Sequence, residues 1–303
     1  MKYVVTGGAG FIGSNIVKLL LKDNHQVIVI DNLHSGKLSN LEEVKEKIEF
    51  HNCDILDIKK MDEVCKDVDG VFHQAALTVV QESYEKKEEY FQVNVKGTEI
   101  IFDLAKKYNF KVVFASSSSV YGDVEKIPIK ENFDRTPINP YGQTKLEDEL
   151  LAEKFWQTGI QVVGLRYFNV FGKNQNPSYA GVITKFLNEI KQDKPPKIFG
   201  KGNQIRDFVY VEDVAQANIN AMIYDVEKGF FNVGCGGTIA IKEIAEHLLQ
   251  ISKIKKHPIY LPPLKGDIMK SQADIQKAKT ELNWIAKKGL KEWLEDIIRE
   301  LKR

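Results

Sequence analysis

Tyr141 and Lys145 stand four residues apart in Pro140-Tyr141-Gly142-Gln143-Thr144-Lys145, so on a helix they share one face. A lysine ammonium beside a phenol favours the phenolate and brings proton exchange toward neutral pH. Tyrosine then becomes a usable general acid/base. On spacing alone, an ordinary surface pair is the better reading. The serine run Ser116 to Ser119, just after the apolar Val112-Val113-Phe114, reverses that preference. A hydroxyl at the carboxyl end of such a strand sits where open α/β sheets bind ligands. It can hydrogen-bond an oxygen that alternates between alcohol and ketone. Only one of the four serines needs to act, and the others read as polar loop.

Upstream, Gly7, Gly10 and Gly13 follow the short apolar run Tyr3-Val4-Val5 and precede a helical pattern through Ile16, Leu19 and Leu20. A glycine turn between strand and helix lets backbone approach a pyrophosphate, and the helix N-terminus favours its negative charge. Asp31 ends the run Val27-Ile28-Val29-Ile30. A carboxylate there accepts hydrogen bonds from adenosine ribose hydroxyls and repels a 2′-phosphate, which favours NAD over NADP. Asp54, in Cys53-Asp54-Ile55, is placed to meet the adenine amine or simply to start a turn. His73, in Phe72-His73-Gln74-Ala75-Ala76, reads as structural and is left out of the chemistry, since small neighbours leave space for a flat ring.

The elements that must position these groups alternate. Strand candidates are Tyr3-Val4-Val5, Val27 to Ile30, Ile48-Glu49-Phe50, Val71-Phe72-His73, Val112-Val113-Phe114 and Val162 to Leu165, with helical patterns over Val93 to Lys107 and Thr144 to Phe155. Apolar strands each followed by a helix predict a doubly wound parallel sheet of Rossmann type. After Phe171 the rhythm changes. A strand at Phe208 to Val211, a helix from Asp213, a strand at Phe230 to Val233 and a helix over Ile241 to Ile251 follow. The expected organisation is an NAD-binding α/β domain over residues 1–170, with a return segment near 206–235. A smaller α/β C-terminal lobe over residues 171–303 lies at the sheet's carboxyl edge.

Composition narrows the function classes. Net charge is +1 over 303 residues, so no electrostatic case exists for nucleic acid or an acidic membrane surface. Cys53, Cys65 and Cys235 have no paired spacing, which argues against disulfides or a zinc site and for a reducing, cytoplasmic location. No signal-peptide pattern or membrane-length apolar run is read, and no metal site is expected.

Taken together, these residues resemble the extended short-chain dehydrogenase/reductase superfamily, within its NAD-dependent sugar epimerase/dehydratase group. The resemblance runs almost end to end. It covers Thr6 to Ser14, Asp31-Asn32-Leu33, Phe72 to Ala76, Asn94 to Thr98, Ser116 to Gly122, and Asn139 to Gly142 with Lys145. Leu165 to Gly172, Arg206 to Val209, Val211 to Val214 and Lys265-Gly266-Asp267 continue it.

It implies that Ser117, Tyr141 and Lys145 are catalytic. NAD would be held by Gly7, Gly10, Phe11, Ile12, Gly13, Asp31, Asn32, Asp54, Ile55, Ala75, Ala76, Asn94 and Tyr167, together with Tyr141 and Lys145. The nucleotide sugar would meet Ser117, Ser118, Asn169, Arg206 and Ser271. Dehydratases of the group usually carry an acidic pair after the catalytic serine or threonine, and decarboxylases a glutamate at the second place. Ser118 and Ser119 cannot act as carboxylic acids, so the implied reaction is a 4-epimerase acting on a UDP-sugar. A net oxidoreductase releasing NADH and a non-catalytic NAD-binding protein are the competing readings.

Relatives commonly place a diphosphate-gripping arginine where Leu264 stands; the adjacent Lys265 carries the charge but not the bidentate fork, so a weaker grip on the diphosphate is expected. A small residue at Ser271 is expected to leave room for an N-acetyl group. A homodimer through the helices from Val93 and from Tyr141 is a further implication of the resemblance.

Overall fold

Tyr3 and Val5 enter one buried cluster and Val4 the other; Val27 and Val29 are likewise divided from Ile28 and Ile30, and Val113 from Val112 and Phe114. Alternate side chains of a strand point to opposite faces, so these strands are covered on both sides. The computed structural model describes residues 1–175, 181–264 and 268–301. Its strands are β1 (Lys2–Thr6), β2 (Gln26–Ile30), β3 (Glu49–His51), β4 (Gly70–His73), β5 (Lys111–Ser117), β6 (Val162–Tyr167), β7 (Asn169–Phe171), β8 (Lys197–Phe199), β9 (Ile205–Arg206), β10 (Phe208–Tyr210), β11 (Lys228–Val233), β12 (Ile239–Ala240) and β13 (Ile259–Leu261). Seven form one parallel sheet in the order β11-β6-β5-β4-β1-β2-β3. This is the doubly wound Rossmann-type sheet expected. The order in which strands are added reverses between β1 and β4, and the crevice at their carboxyl ends is the ligand position of such sheets.

The helices are α1 (Phe11–Lys22), α2 (Ile58–Val64), α3 (Val80–Ser83), α4 (Lys87–Tyr90), α5 (Gly97–Tyr108), α6 (Pro140–Trp156), α7 (Val182–Lys191), α8 (Val211–Ile223), α9 (Ile241–Ser252), α10 (Gln276–Glu281) and α11 (Leu290–Leu301). Helices α1 and α8 cover one face of the sheet, and α2, α5 and α6 the other. Strand β11 and helix α8 come from late in the chain, yet they complete the first core. A separate core, with Phe186, Leu248, Trp293 and Leu294, joins α7, α9 and α11 to β8 and β10.

Three helix starts differ from the sequence expectation. Helix α6 starts at Pro140 because the Asn139 side chain accepts a hydrogen bond from the Gly142 amide at 2.8 Å and proline occupies the first turn, a favourable N-terminus. Helix α8 begins at Val211 rather than Asp213, leaving Glu212 and Asp213 in its first turn, where carboxylates are favourable. The expected helix over Val93 to Lys107 opens as a π-turn, Phe91–Lys96, before α5 begins.

Candidate active site

A cleft of about 550 Å³ opens over the carboxyl ends of the central strands. Its floor is the glycine turn. Gly7 has φ +64°, and a Cβ there would lie 2.8 Å from the Ala75 amide nitrogen. A Cβ on Gly13 would lie 2.2 Å from the Gly7 carbonyl oxygen. Side chains would therefore fill the cradle and push α1 off the turn. The Gly10 amide closes the turn on the Gly7 carbonyl at 3.0 Å. Phe11, Ile12, Ala75 and Ala76 line the same floor.

At one end stands Asp31, 7% exposed. Its Oδ2 accepts from the Ala9 amide at 2.9 Å and its Oδ1 from the Leu33 amide at 2.8 Å. Burial raises its pKa, and the two amides oppose that shift. Asn32 donates to Asp54 at 2.9 Å, and Asp54 also accepts from the Leu56 amide at 2.9 Å. Ile55 packs so closely that a Cβ on Gly97 would sit 2.3 Å from its Cδ1. All four residues from Asp31, Asn32, Asp54 and Ile55 line the cleft.

Asn94 does not line the cleft. Its amide is fully buried and brackets Leu77, accepting from the Leu77 nitrogen at 2.8 Å and donating to the Leu77 oxygen at 3.0 Å. It also reaches the Thr144 hydroxyl at 2.9 Å. The π-turn carries Asn94 into this position, as such turns do at functional sites. Asn94 therefore shapes the cleft wall through Leu77, which does line it.

At the other end Ser117, Tyr141 and Lys145 face the same cleft. Ser117 is the last residue of β5, in register with Tyr167 on β6. Its hydroxyl accepts from the Ser119 amide at 3.1 Å. The Tyr141 amide at the start of α6 is held by the Ser83 hydroxyl at 3.2 Å. Lys145 is 3% exposed and pairs with Asp148 at 3.1 Å. Tyr167 presents its ring, while its hydroxyl is held by Gln74 at 3.1 Å and Asn218 at 3.0 Å; burial raises its pKa.

Asn169, Arg206 and Ser271 come together outside the main sheet and are not among the residues lining the cleft. Asn169 donates to the Asp207 carbonyl at 3.0 Å, and the Ser271 amide donates to the Ile205 carbonyl at 3.1 Å. Arg206, the last residue of β9, lies between the two residues that these bonds reach. Leu264 is 43% exposed; Lys265, Gly266 and Asp267 lie outside the described residues. Ser118 opens the 3-10 turn after β5 and does not line the cleft.

The cradle, the acidic residue at the end of β2 and the volume suit a dinucleotide. The chain matches the model of the NAD dependent epimerase/dehydratase family over residues 3–234. It belongs to that family. Its cofactor is therefore NAD. It is 39% identical to a putative UDP-glucose 4-epimerase of Methanocaldococcus jannaschii, over 99% of this chain and 98% of the relative. The UDP-glucose 4-epimerase of Thermotoga maritima, solved with UDP-glucose, matches with a TM-score of 0.94 at 35% identity, covering 100% and 99% of the two chains. The UDP-N-acetylglucosamine 4-epimerase of Methanobrevibacter ruminantium, solved with UDP-N-acetylmuramic acid, matches with a TM-score of 0.92 at 37% identity, covering 98% and 97%.

Within this epimerase/dehydratase fold, a second layer of polar groups was not read from the sequence. Ser116 donates to Glu149 at 2.6 Å, and Arg166 grips both Glu149 oxygens at 2.8 Å. Arg166 also donates to the Tyr121 hydroxyl at 2.7 Å, which donates to Asn232 at 2.7 Å. The ion pair is buried on both sides. It anchors the Ser116–Ser117 end of β5 to α6. Nothing in the sequence named Glu149 as the partner of Arg166. Asp207 is similar. Fully buried, it accepts from the amides of Cys235 at 2.6 Å, Gly236 at 2.9 Å and Ala273 at 3.0 Å.

Proposed function

We propose that this protein is an NAD-dependent UDP-sugar 4-epimerase, acting on UDP-glucose and UDP-galactose and also on their N-acetylated counterparts. The observation that carries this reading is the convergence of Ser117, Tyr141 and Lys145 on the cleft that holds the glycine cradle. A protein that only binds NAD needs none of these three. The serines after Ser117 favour epimerisation over dehydration or decarboxylation, because neither can serve as a carboxylic acid at neutral pH.

When bound, NAD supplies the acceptor for a hydride from the sugar C4 and later returns it. Tyr141 takes the proton of the 4-hydroxyl as the ketone forms and gives a proton back when the alcohol is restored. Lys145, fixed one helical turn away, stabilises the phenolate by its charge. The Ser117 hydroxyl donates to the sugar O4 in both directions. Asn169 and Arg206 hold the diphosphate, whose oxygens suit a guanidinium, so the keto sugar can turn without leaving. A keto sugar turned in this grip presents its other face, so the alcohol that Tyr141 restores has the inverted C4 configuration. The substrate lobe is formed mainly by residues 171–303, and the molecule is a homodimer through the α5 and α6 faces.

The test is incubation of the purified protein with UDP-galactose and, separately, UDP-N-acetylgalactosamine, without added NAD, followed by separation of the sugar nucleotides. Conversion to the C4 epimer with no net NADH supports the reading. NADH accumulating over many turnovers would make the protein a net oxidoreductase. Tyr141→Phe should lose at least about 100-fold in turnover while retaining NAD.

A further inference from the structure

Helix α6 carries a second acidic residue that the reaction as written does not use. Asp148 is fully buried, one turn beyond Lys145 on the inner side of the helix. Its Oδ2 accepts from the Lys145 ammonium at 3.1 Å. Its Oδ1 accepts no hydrogen bond from the described residues. The Thr98 hydroxyl on α5 lies beside the carboxylate and also meets the Asn94 carbonyl at 2.6 Å. A buried carboxylate is costly unless it is paired, and the Lys145 ammonium is the charge that pairs with it. The counter-charge on Lys145 is what the carboxylate provides.

The other titratable groups around this pair are known. Glu149, next in α6, is already committed to Arg166 and Arg135. His73, from β4, is held neutral, with Lys145 contributing to that. Tyr141 lies one turn back on the same helix. Lys145 therefore has Asp148 as its ion-pair partner among the described residues. Burial pushes the Asp148 carboxyl up to about 6, and the Lys145 ammonium opposes that shift and holds the carboxylate as its ion-pair partner.

We propose that Asp148 is a positioning residue for proton transfer: its buried carboxylate holds the Lys145 ammonium in place and offsets its charge, setting the pH range over which Tyr141 exchanges a proton. This rests on the roles given above to Tyr141 and Lys145. A negative charge beside the pair opposes phenolate formation and supports the ammonium. Removing it moves both ionisations the same way, to lower pH. A residue that only packs the helix would change amplitude or stability but leave the profile in place.

The experiment compares Asp148→Asn with the wild type in two readouts. One is the pH profile of sugar interconversion. The other is ultraviolet titration of phenolate in the protein without substrate, with Tyr141→Phe identifying the Tyr141 contribution. Both limbs of the profile, and the Tyr141 transition, should move down by on the order of one pH unit. An unmoved profile and transition, with Tyr141→Phe inactive, would overturn the role of Asp148 and leave the reaction assignment standing. An active Tyr141→Phe would instead remove the assignment on which the proposal rests. Should Asp148→Asn not fold, Lys145→Met tests the same coupling from its other side. The Asp148 carboxyl, followed by nuclear magnetic resonance of isotope-labelled aspartate, should then titrate at higher pH than in the wild type. An unchanged titration would overturn the proposal.

Discussion

Replacing His73 with glutamine should alter how stability responds to acid more than it alters stability at neutral pH. His73 is 3% exposed at the end of β4, with Nδ1 2.7 Å from the Thr6 hydroxyl and Nε2 3.0 Å from the Thr98 hydroxyl. Thr98 donates to the Asn94 carbonyl, so toward His73 it can only accept. Nε2 therefore carries the proton and Nδ1 accepts from Thr6. Thr6 in turn accepts from the Gln74 and Ala75 amides. Both ring nitrogens are satisfied in the neutral form, and a second proton would have to displace a donor.

Burial first, and the Lys145 ammonium second, push the His73 pKa from 6.5 down to about 3. The unfolded chain takes up this proton below 6.5 and the folded chain does not until near 3, so stability is lost as pH falls through that window. Linkage makes the loss about 3 kcal/mol between about pH 7 and about pH 4. Asp148 acts oppositely. Burial raises its pKa from 3.8 to about 6, so its contribution is greatest below 3.8 and is lost as pH rises through about 6. That gain on acidification is roughly 2 kcal/mol and masks much of the His73 loss in the wild type.

Glutamine can keep an acceptor toward Thr6 and a donor toward Thr98 but cannot take up a proton. Urea unfolding free energies of the two proteins should therefore diverge with acid. His73→Gln should gain about 3 kcal/mol relative to the wild type over that interval, whatever offset it has at neutral pH. Groups that titrate identically in both proteins cancel in the comparison. Curves that stay parallel down to about pH 4 would refute a neutral, buried His73 and reopen it as an acid/base group.

The other outcomes concern the cradle, the buried ion pair and substrate size. Gly13→Ala places a Cβ 2.2 Å from the Gly7 carbonyl, so α1 must move; the purified variant should lose co-purifying NAD, measured by absorbance after denaturation. Glu149→Gln leaves the Arg166 guanidinium, 2% exposed, without its countercharge. It should lower unfolding free energy by about 3–5 kcal/mol, read by urea titration. Ser271→Tyr fills a position that is 7% exposed. It should abolish conversion of UDP-N-acetylgalactosamine while sparing UDP-galactose; equal loss of both would remove Ser271 as the determinant of sugar size.

The parts of the site legible in the sequence are those whose geometry is local. Gly7, Gly10 and Gly13 are read because strand, turn and helix follow one another within a few residues. Asp31 is read because it ends a strand, and Tyr141 with Lys145 because helical spacing brings them to one face. Parallel strands buried on both sides announce themselves as apolar runs, so the sheet was legible too. Distant pairings were not. Strand β11 joins the sheet beside β6, across many intervening residues, and nothing in Phe230 to Val233 says which edge it takes. The bracket from Asn94 to Leu77, the Glu149 pair with Arg166 and the Asp207 hub depend on chain segments meeting only after the sheet has formed. A buried charge is tolerable only where its partner arrives in the right geometry. For Lys145 and Asp148 the spacing was visible in the sequence. Their burial, which turns an ordinary helical pair into a coupled one, was decided by the packing of α6 against β5 and α5.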